Sequence, residues 1–316
     1  MSKYAAVFPG QGSQSPGMLA ELASRHPEVE QTFQEASDVL SKDLWALVQN
    51  GPEEMLNATV NTQPVMLAAG VAVWRVWQKA GGCIPAAMAG HSLGEYTALV
   101  CADALDLGDA VTLVAERAAQ MQAAVPEGEG AMAAILGLDD EAVIDVCERA
   151  AEGQVVSAVN FNSPGQVVIA GEADAVDRAV ALAKEAGAKR AIKLAVSVPS
   201  HCELMRPAAD GMMMHLEATA LRPPSIPVLH NVDVTAHDDV AAIRQALLSQ
   251  LYQPVRWVET VLAFRDSGIT QLIEFGPGKV LAGLTRRIDR SMGAQGVFDD
   301  ASLEKALAIC EGDDGQ

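Results

Sequence analysis

Gly90-His91-Ser92-Leu93-Gly94 is a G-x-S-x-G pentapeptide lying between a short apolar segment and a helical one. A strand, a sharp turn and a helix in that order form a nucleophile elbow. The serine occupies the strained turn, and flanking glycines let neighbouring backbone pass where a Cβ would clash. Its hydroxyl then sits at a helix start, where the dipole and free N–H groups favour a developing anion. The same residues would also fit a plain strand–helix turn with a capping serine.

A serine hydroxyl is a weak nucleophile near neutral pH and needs a base. Six histidines are available: His26, His91, His201, His215, His230 and His237. His91 adjoins Ser92, so its ring should leave the turn in another direction. His26 and His237 stand in polar, loop-like surroundings, and His215 lies in a Met-rich helical stretch. His201 follows Pro199-Ser200 at a junction between two segments, a place where sites often lie. Position ranks His201 first and His230 second. Asp140, Asp145 and Asp174 fall between Ser92 and His201, but none stands in a recognisable triad loop. Arg117 sits among Val111, Leu113, Val114, Ala118 and Ala119, so it either snorkels to solvent or holds a buried carboxylate.

The elements that must position these residues read as alternating β and α. A buried strand at 4–8 runs into Gly10-Gln11-Gly12, and residues from about 17 to 80 read as helical. A strand at 86–89 leads into the elbow and a helix to about 101, with another helix over 109–122. Strands over 131–136, 155–160, 166–170 and 190–196, with helices over 140–151 and 173–186, give a βαββαβ unit. Further strands are expected at 228–231 and 271–274, and a disordered polar tail at 311–316. The fold class is α/β: a large domain (1–127 and 199–316) with a parallel sheet, and a small ferredoxin-like subdomain (128–198).

Half of the 316 residues are hydrophobic, as in a globular protein, and no apolar run reaches the roughly 20 residues that span a bilayer. The N-terminus lacks a signal-peptide pattern, so a cytoplasmic location is expected. The five cysteines are scattered without CxxC spacing, which favours reduced thiols over a disulfide frame or zinc site. No His-x-x-x-His pair suggests a metal. Gly10-Gln11-Gly12 lacks the third glycine of a dinucleotide loop, since Ser15 stands there, and no Gly-Lys-Ser/Thr completes a P-loop. A net charge of −19 argues against nucleic acid. One basic cluster, Lys279, Arg286, Arg287 and Arg290, stands out against it.

Five segments together resemble the malonyl-CoA:acyl carrier protein transacylase family. They are Phe8–Gln14, Gly90–Tyr96, Asn160–Gln166, Val198–His201 and Glu274–Gly278, in the family's order and spread over nearly the whole chain. The resemblance implies an α/β-hydrolase-like large domain, with Ser92 as acyl-accepting nucleophile and His201 as its base. A backbone carbonyl at Gln250 would orient that base, and the N–H groups of Gln11 and Leu93 would form the oxyanion hole. Arg117 would pair with the malonyl carboxylate, and Gln11, His91, Asn162 and Ser200 would help to bind substrate. Malonyl-CoA and acyl carrier protein are the implied partners, serving fatty acid synthesis or a polyketide pathway. No cofactor is expected, and, apart from the resemblance, a monomer is. An α/β-hydrolase-type thioesterase is the alternative chemistry.

Overall fold

The computed structural model describes residues 3–196 and 198–311. Strand β1 (Tyr4–Phe8) is buried along its whole length, which is why it reads as an unbroken apolar run rather than an alternating one. Helices α1 (Ala20–Arg25), α2 (Pro27–Leu40), α3 (Leu44–Asn50), α4 (Glu53–Asn57) and α5 (Thr59–Lys79) fill the region expected to be helical. Local chemistry sets the breaks between them. Pro27 opens α2, Ser41 ends it in a left-handed conformation, and the Asp43 carboxylate accepts from the Ala46 N–H at 2.8 Å to start α3. Strand β2 (Ala87–Gly90) then leads through the elbow into α6 (Gly94–Cys101), followed by α7 (Leu107–Ala124).

The next six elements are β3 (Gly130–Leu136), α8 (Asp140–Ala151), β4 (Val156–Ser163), β5 (Gln166–Glu172), α9 (Ala173–Glu185) and β6 (Arg190–Lys193). They form a separate antiparallel sheet, ordered β4-β5-β3-β6, over its own core of Ile135, Val143, Val167, Ile169 and Val176. Strand β4 continues beyond the expected end at 160, to Ser163. It does so with register shifts at 158/160 and 161/163, and such bulges re-aim the side chains they carry. Strand β6 stops at Lys193, short of 196.

The chain then returns through α10 (Arg206–Ala218), β7 (Val228–Leu229), α11 (Val240–Gln250), α12 (Trp257–Asp266), β8 (Gln271–Phe275), α13 (Val280–Ile288), β9 (Gly293–Val297) and α14 (Asp300–Glu311). The larger sheet is parallel throughout, in the order β7-β2-β1-β8-β9. In its register Phe8 lies opposite Gly90, so the loops carrying Gln11 and Ser92 leave the same sheet edge side by side. That carboxyl edge is where open α/β sheets hold their ligands. Strand β4 of the smaller sheet is tied to the segment before α12, where the Phe161 N–H donates to the Val255 carbonyl (3.1 Å) and the Val255 N–H to that of Val159 (2.8 Å).

Three expectations need correcting. Glu311, expected to open a disordered tail, instead closes α14, and the rest of that expectation, 312–316, lies outside the described residues. Strand β9 adds to the expected strands: two glycines and Gln295 break its apolar pattern, yet it pairs in parallel with β8. Cys83 and Cys310 are bonded to each other rather than reduced. They are 227 residues apart, and the fold brings the end of α14 against the loop after α5, with the two Cα atoms 5.7 Å apart. Cys101, Cys147 and Cys202 are free and buried, as expected. Among the described residues no helix is long and apolar enough to cross a membrane.

Candidate active site

Ser92 lies between β2 and α6 with φ of 53°, the left-handed conformation an elbow requires. Both flanking glycines are obligatory there. A Cβ at Gly90 would lie 1.8 Å from the Gly94 carbonyl carbon, and one at Gly94 would lie 2.1 Å from the Phe8 carbonyl oxygen. The pentapeptide is thus a packing requirement of the turn as well as a chemical signature.

His201 approaches from the segment before α10, also in a left-handed conformation (φ 67°). Its Nε2 lies 2.8 Å from Ser92 Oγ, and its Nδ1 lies 2.6 Å from the Gln250 carbonyl oxygen at the end of α11. A carbonyl can only accept, so Nδ1 carries the proton and Nε2 presents its lone pair to the serine hydroxyl. This is the tautomer a general base needs. Of the acids considered from the sequence, Asp145 pairs with Arg149 at 3.2 Å, and neither Asp140 nor Asp174 contacts His201.

Burial holds the His201 pKa down at about 3, with the Arg117 charge adding to the effect. The imidazole is therefore neutral across the working range. The rate of Ser92 acylation is expected to stay flat from about pH 8 down to about pH 5, measured by single-turnover mass spectrometry. A depressed folded pKa also means that the unfolded chain binds the extra proton. Stability from this group is fully present above the unfolded value near 6.5. It is lost progressively as the pH falls towards the folded value of about 3.

Gln11 and Leu93 flank Ser92 on the two adjacent loops. Among the described residues, no backbone hydrogen bond engages either N–H. Gln11, Thr59, His91, Ser200 and His201 line a cavity of about 110 Å³ with Ser92, and Met132, Asn160, Leu194 and Val196 of the small unit face them. His91 turns away from the serine, as expected, and its Nε2 donates to Asn162 Oδ1 at 2.8 Å. A larger cleft of about 420 Å³ near Val125 and Glu172 holds no nucleophile–base pair.

Arg117, on α7, is completely buried rather than snorkelling. It donates to Gln63 Oε1 (2.8 Å) and Gln250 Oε1 (3.0 Å), and its guanidinium lies over the Tyr96 ring. Nε has no partner, and among the described residues no carboxylate forms an ion pair with it. Burial pulls its pKa below the usual arginine value. Gln250 also donates from Nε2 to the Ser92 carbonyl at 2.9 Å, so one residue joins Arg117 to the elbow.

The structure therefore gathers Ser92, His201, Gln250, Gln11, Leu93, His91, Asn162 and Ser200 around one cleft, with Arg117 behind it. It separates His230, the second-ranked base, which is buried and bonded to Glu95. Cys202, next to His201 in the chain, is buried, and burial pushes its thiol up to about 12, so it is no rival nucleophile. Sequence reasoning missed Gln63, Glu95 and Asn231. Gln63 had one usable signal, a polar residue opening the apolar run of α5. Among the described residues, no group of three or more His, Cys, Asp or Glu is placed to hold a metal.

The chain matches the acyl transferase domain family over residues 6–300. It is 58% identical over 307 residues to the malonyl CoA-acyl carrier protein transacylase of Salmonella typhimurium, covering 97% of this chain and 99% of that protein. It is similar in structure to an acyl carrier protein S-malonyltransferase from Vibrio cholerae, with a TM-score of 0.94 and 59% identity over 96% of this chain and 99% of that one. A malonyl-transacylase solved in complex with its type II PKS acyl-carrier protein gives a TM-score of 0.96 at 60% identity, covering 98% of this chain and 100% of that one.

Proposed function

This chain belongs to the acyl transferase domain family, and we propose that it transfers the malonyl group from malonyl-CoA to the phosphopantetheine thiol of acyl carrier protein in fatty acid synthesis. The observation that carries this reading is the Ser92–His201–Gln250 line beside a buried arginine without a carboxylate.

His201 Nε2 takes the hydroxyl proton as Ser92 Oγ attacks the thioester carbonyl carbon. The N–H groups of Gln11 and Leu93 hold the oxyanion. Collapse breaks the C–S bond, and the leaving thiolate of coenzyme A takes the proton from His201. Malonyl-Ser92 remains. The carrier thiol then gives its proton to His201 and attacks the ester; collapse breaks the C–O bond, and the departing Ser92 Oγ takes that proton from His201, which regenerates the serine. Arg117 receives the malonyl carboxylate as a bidentate partner, while His91, Asn162 and Ser200 line the approach. The chemistry needs no cofactor beyond the thioester substrate.

Intact-protein mass spectrometry tests the reading. Malonyl-CoA should leave a malonyl adduct that persists until pantetheinylated carrier is added. Free malonate without an adduct would establish the thioesterase alternative instead. The complex of a similar transacylase with a type II PKS carrier supports a second reading, service to a polyketide pathway. Discharge rates with the two kinds of carrier decide between them.

The larger sheet with its elbow supports an α/β-hydrolase-like domain over 1–127 and 199–316. The order β4-β5-β3-β6 supports a ferredoxin-like subdomain over 128–198. A cytoplasmic location accords with this activity. For the carrier surface, the exposed Arg286 and Arg287 of α13, with Lys279 and Arg290 beside them, are the basic cluster in a chain of net charge −19. Reversing Arg286 and Arg287 to glutamate is expected to raise the KM for carrier about tenfold while leaving acylation by malonyl-CoA unchanged. Steady-state kinetics at varied carrier concentration checks this.

A further inference from the structure

Behind the elbow, out of the cleft, a fully buried carboxylate gathers three donors. Glu95 Oε1 accepts from His230 Nδ1 at 2.7 Å, and Oε2 accepts from the Asn231 N–H (2.9 Å) and from Gln250 Nε2 (3.0 Å). Two of these donors lead directly to the reacting groups. Asn231 clamps the turn from both sides: its Oδ1 accepts from the Ser92 N–H at 2.7 Å, and its Nδ2 donates to the Gly90 carbonyl at 2.6 Å. Gln250 donates to the Ser92 carbonyl and supplies the carbonyl that orients His201. A left-handed serine persists only where its surroundings over-determine it.

We propose that Glu95 is a positioning residue for acyl transfer, setting Ser92 through Asn231 and His201 through Gln250 without touching substrate. Burial alone disfavours a charged His230, but the adjoining Glu95 carboxylate outweighs it and raises the pKa of His230. His230 thereby balances the carboxylate from the side away from the elbow.

The test compares wild type with Glu95→Ala, Glu95→Gln and Asn231→Ser. A small fluorophosphonate probe that labels Ser92 without needing Arg117 is followed by intact mass, alongside malonyl-CoA kinetics. Only the malonyl arm rests on the transfer reading above, so a wild type that takes the probe but not malonyl would overturn that reading alone. Glu95→Ala should slow labelling and kcat about 10²-fold, the cost of a misplaced nucleophile, with the KM for malonyl-CoA changed less than about threefold. Glu95→Gln should recover to within about tenfold. Its carbonyl can accept from Asn231 and Gln250, while its amide donates to Nδ1 of a neutral His230. Wild-type labelling in Glu95→Ala, an equal loss in Glu95→Gln, or a KM rising in step with the loss of kcat would overturn the proposal. If Glu95→Ala does not fold, Asn231→Ser decides: slowed labelling at unchanged KM supports the proposal, and unchanged labelling overturns it.

Discussion

Ser92→Ala is expected to remove the malonyl adduct completely and to lower turnover by about 10⁴-fold or more. Among the described residues the hydroxyl is the nucleophilic group that meets His201 Nε2, at 2.8 Å, so its loss removes the acceptor of the acyl group. Gln11 and Leu93 would still polarise a bound thioester, and a slow leak of malonate to water is the expected residue of activity. Intact mass after brief exposure to malonyl-CoA reads the adduct, and malonate release reads the leak. An adduct of unchanged mass and yield in Ser92→Ala would place the covalent step elsewhere.

Arg117→Ala should produce the second large effect, a change of selectivity. The guanidinium is completely buried, with two amide oxygens for partners and an unpartnered Nε. Losing one partner of a buried ion pair costs about 3–5 kcal/mol, or roughly 10²–10⁴-fold in kcat/KM for malonyl-CoA. Acetyl-CoA brings no carboxylate and leaves the wild-type arginine unpaired, so the variant should accept acetyl or longer chains better than wild type does. Competition between malonyl-CoA and acetyl-CoA measures the ratio directly, and an unaltered malonyl preference would sink the carboxylate clamp.

The legible parts of this molecule are those fixed by local physics. Ser92 announces itself because Gly90 and Gly94 are demanded by close backbone contacts at the turn. The β3-to-β6 unit is legible because its strands and helices keep their periods, and α8 falls on the expected residues 140–151. Longer-range features were less accessible. Position could rank His201 ahead of His230 but could not show that His230 faces Glu95. The Cys83–Cys310 bond joins residues 227 apart, a separation at which spacing says nothing. Glu95 and Asn231 read as ordinary polar residues, because their meaning depends on a turn that closes between distant segments. Gln250 came only through resemblance, since a backbone carbonyl has no residue type to read.

That last feature bears on how a genetic screen of this protein should be interpreted. Every amino acid carries the same carbonyl, so no codon change at position 250 deletes the acceptor facing His201. Substitutions there instead remove the side-chain bonds to Arg117, Glu95 and the Ser92 carbonyl. A saturation library would therefore report the loss of those side-chain bonds, in rate as well as selectivity, while remaining blind to the carbonyl that faces His201. Only chemistry that alters the main chain, such as an amide-to-ester replacement next to it, would expose that part.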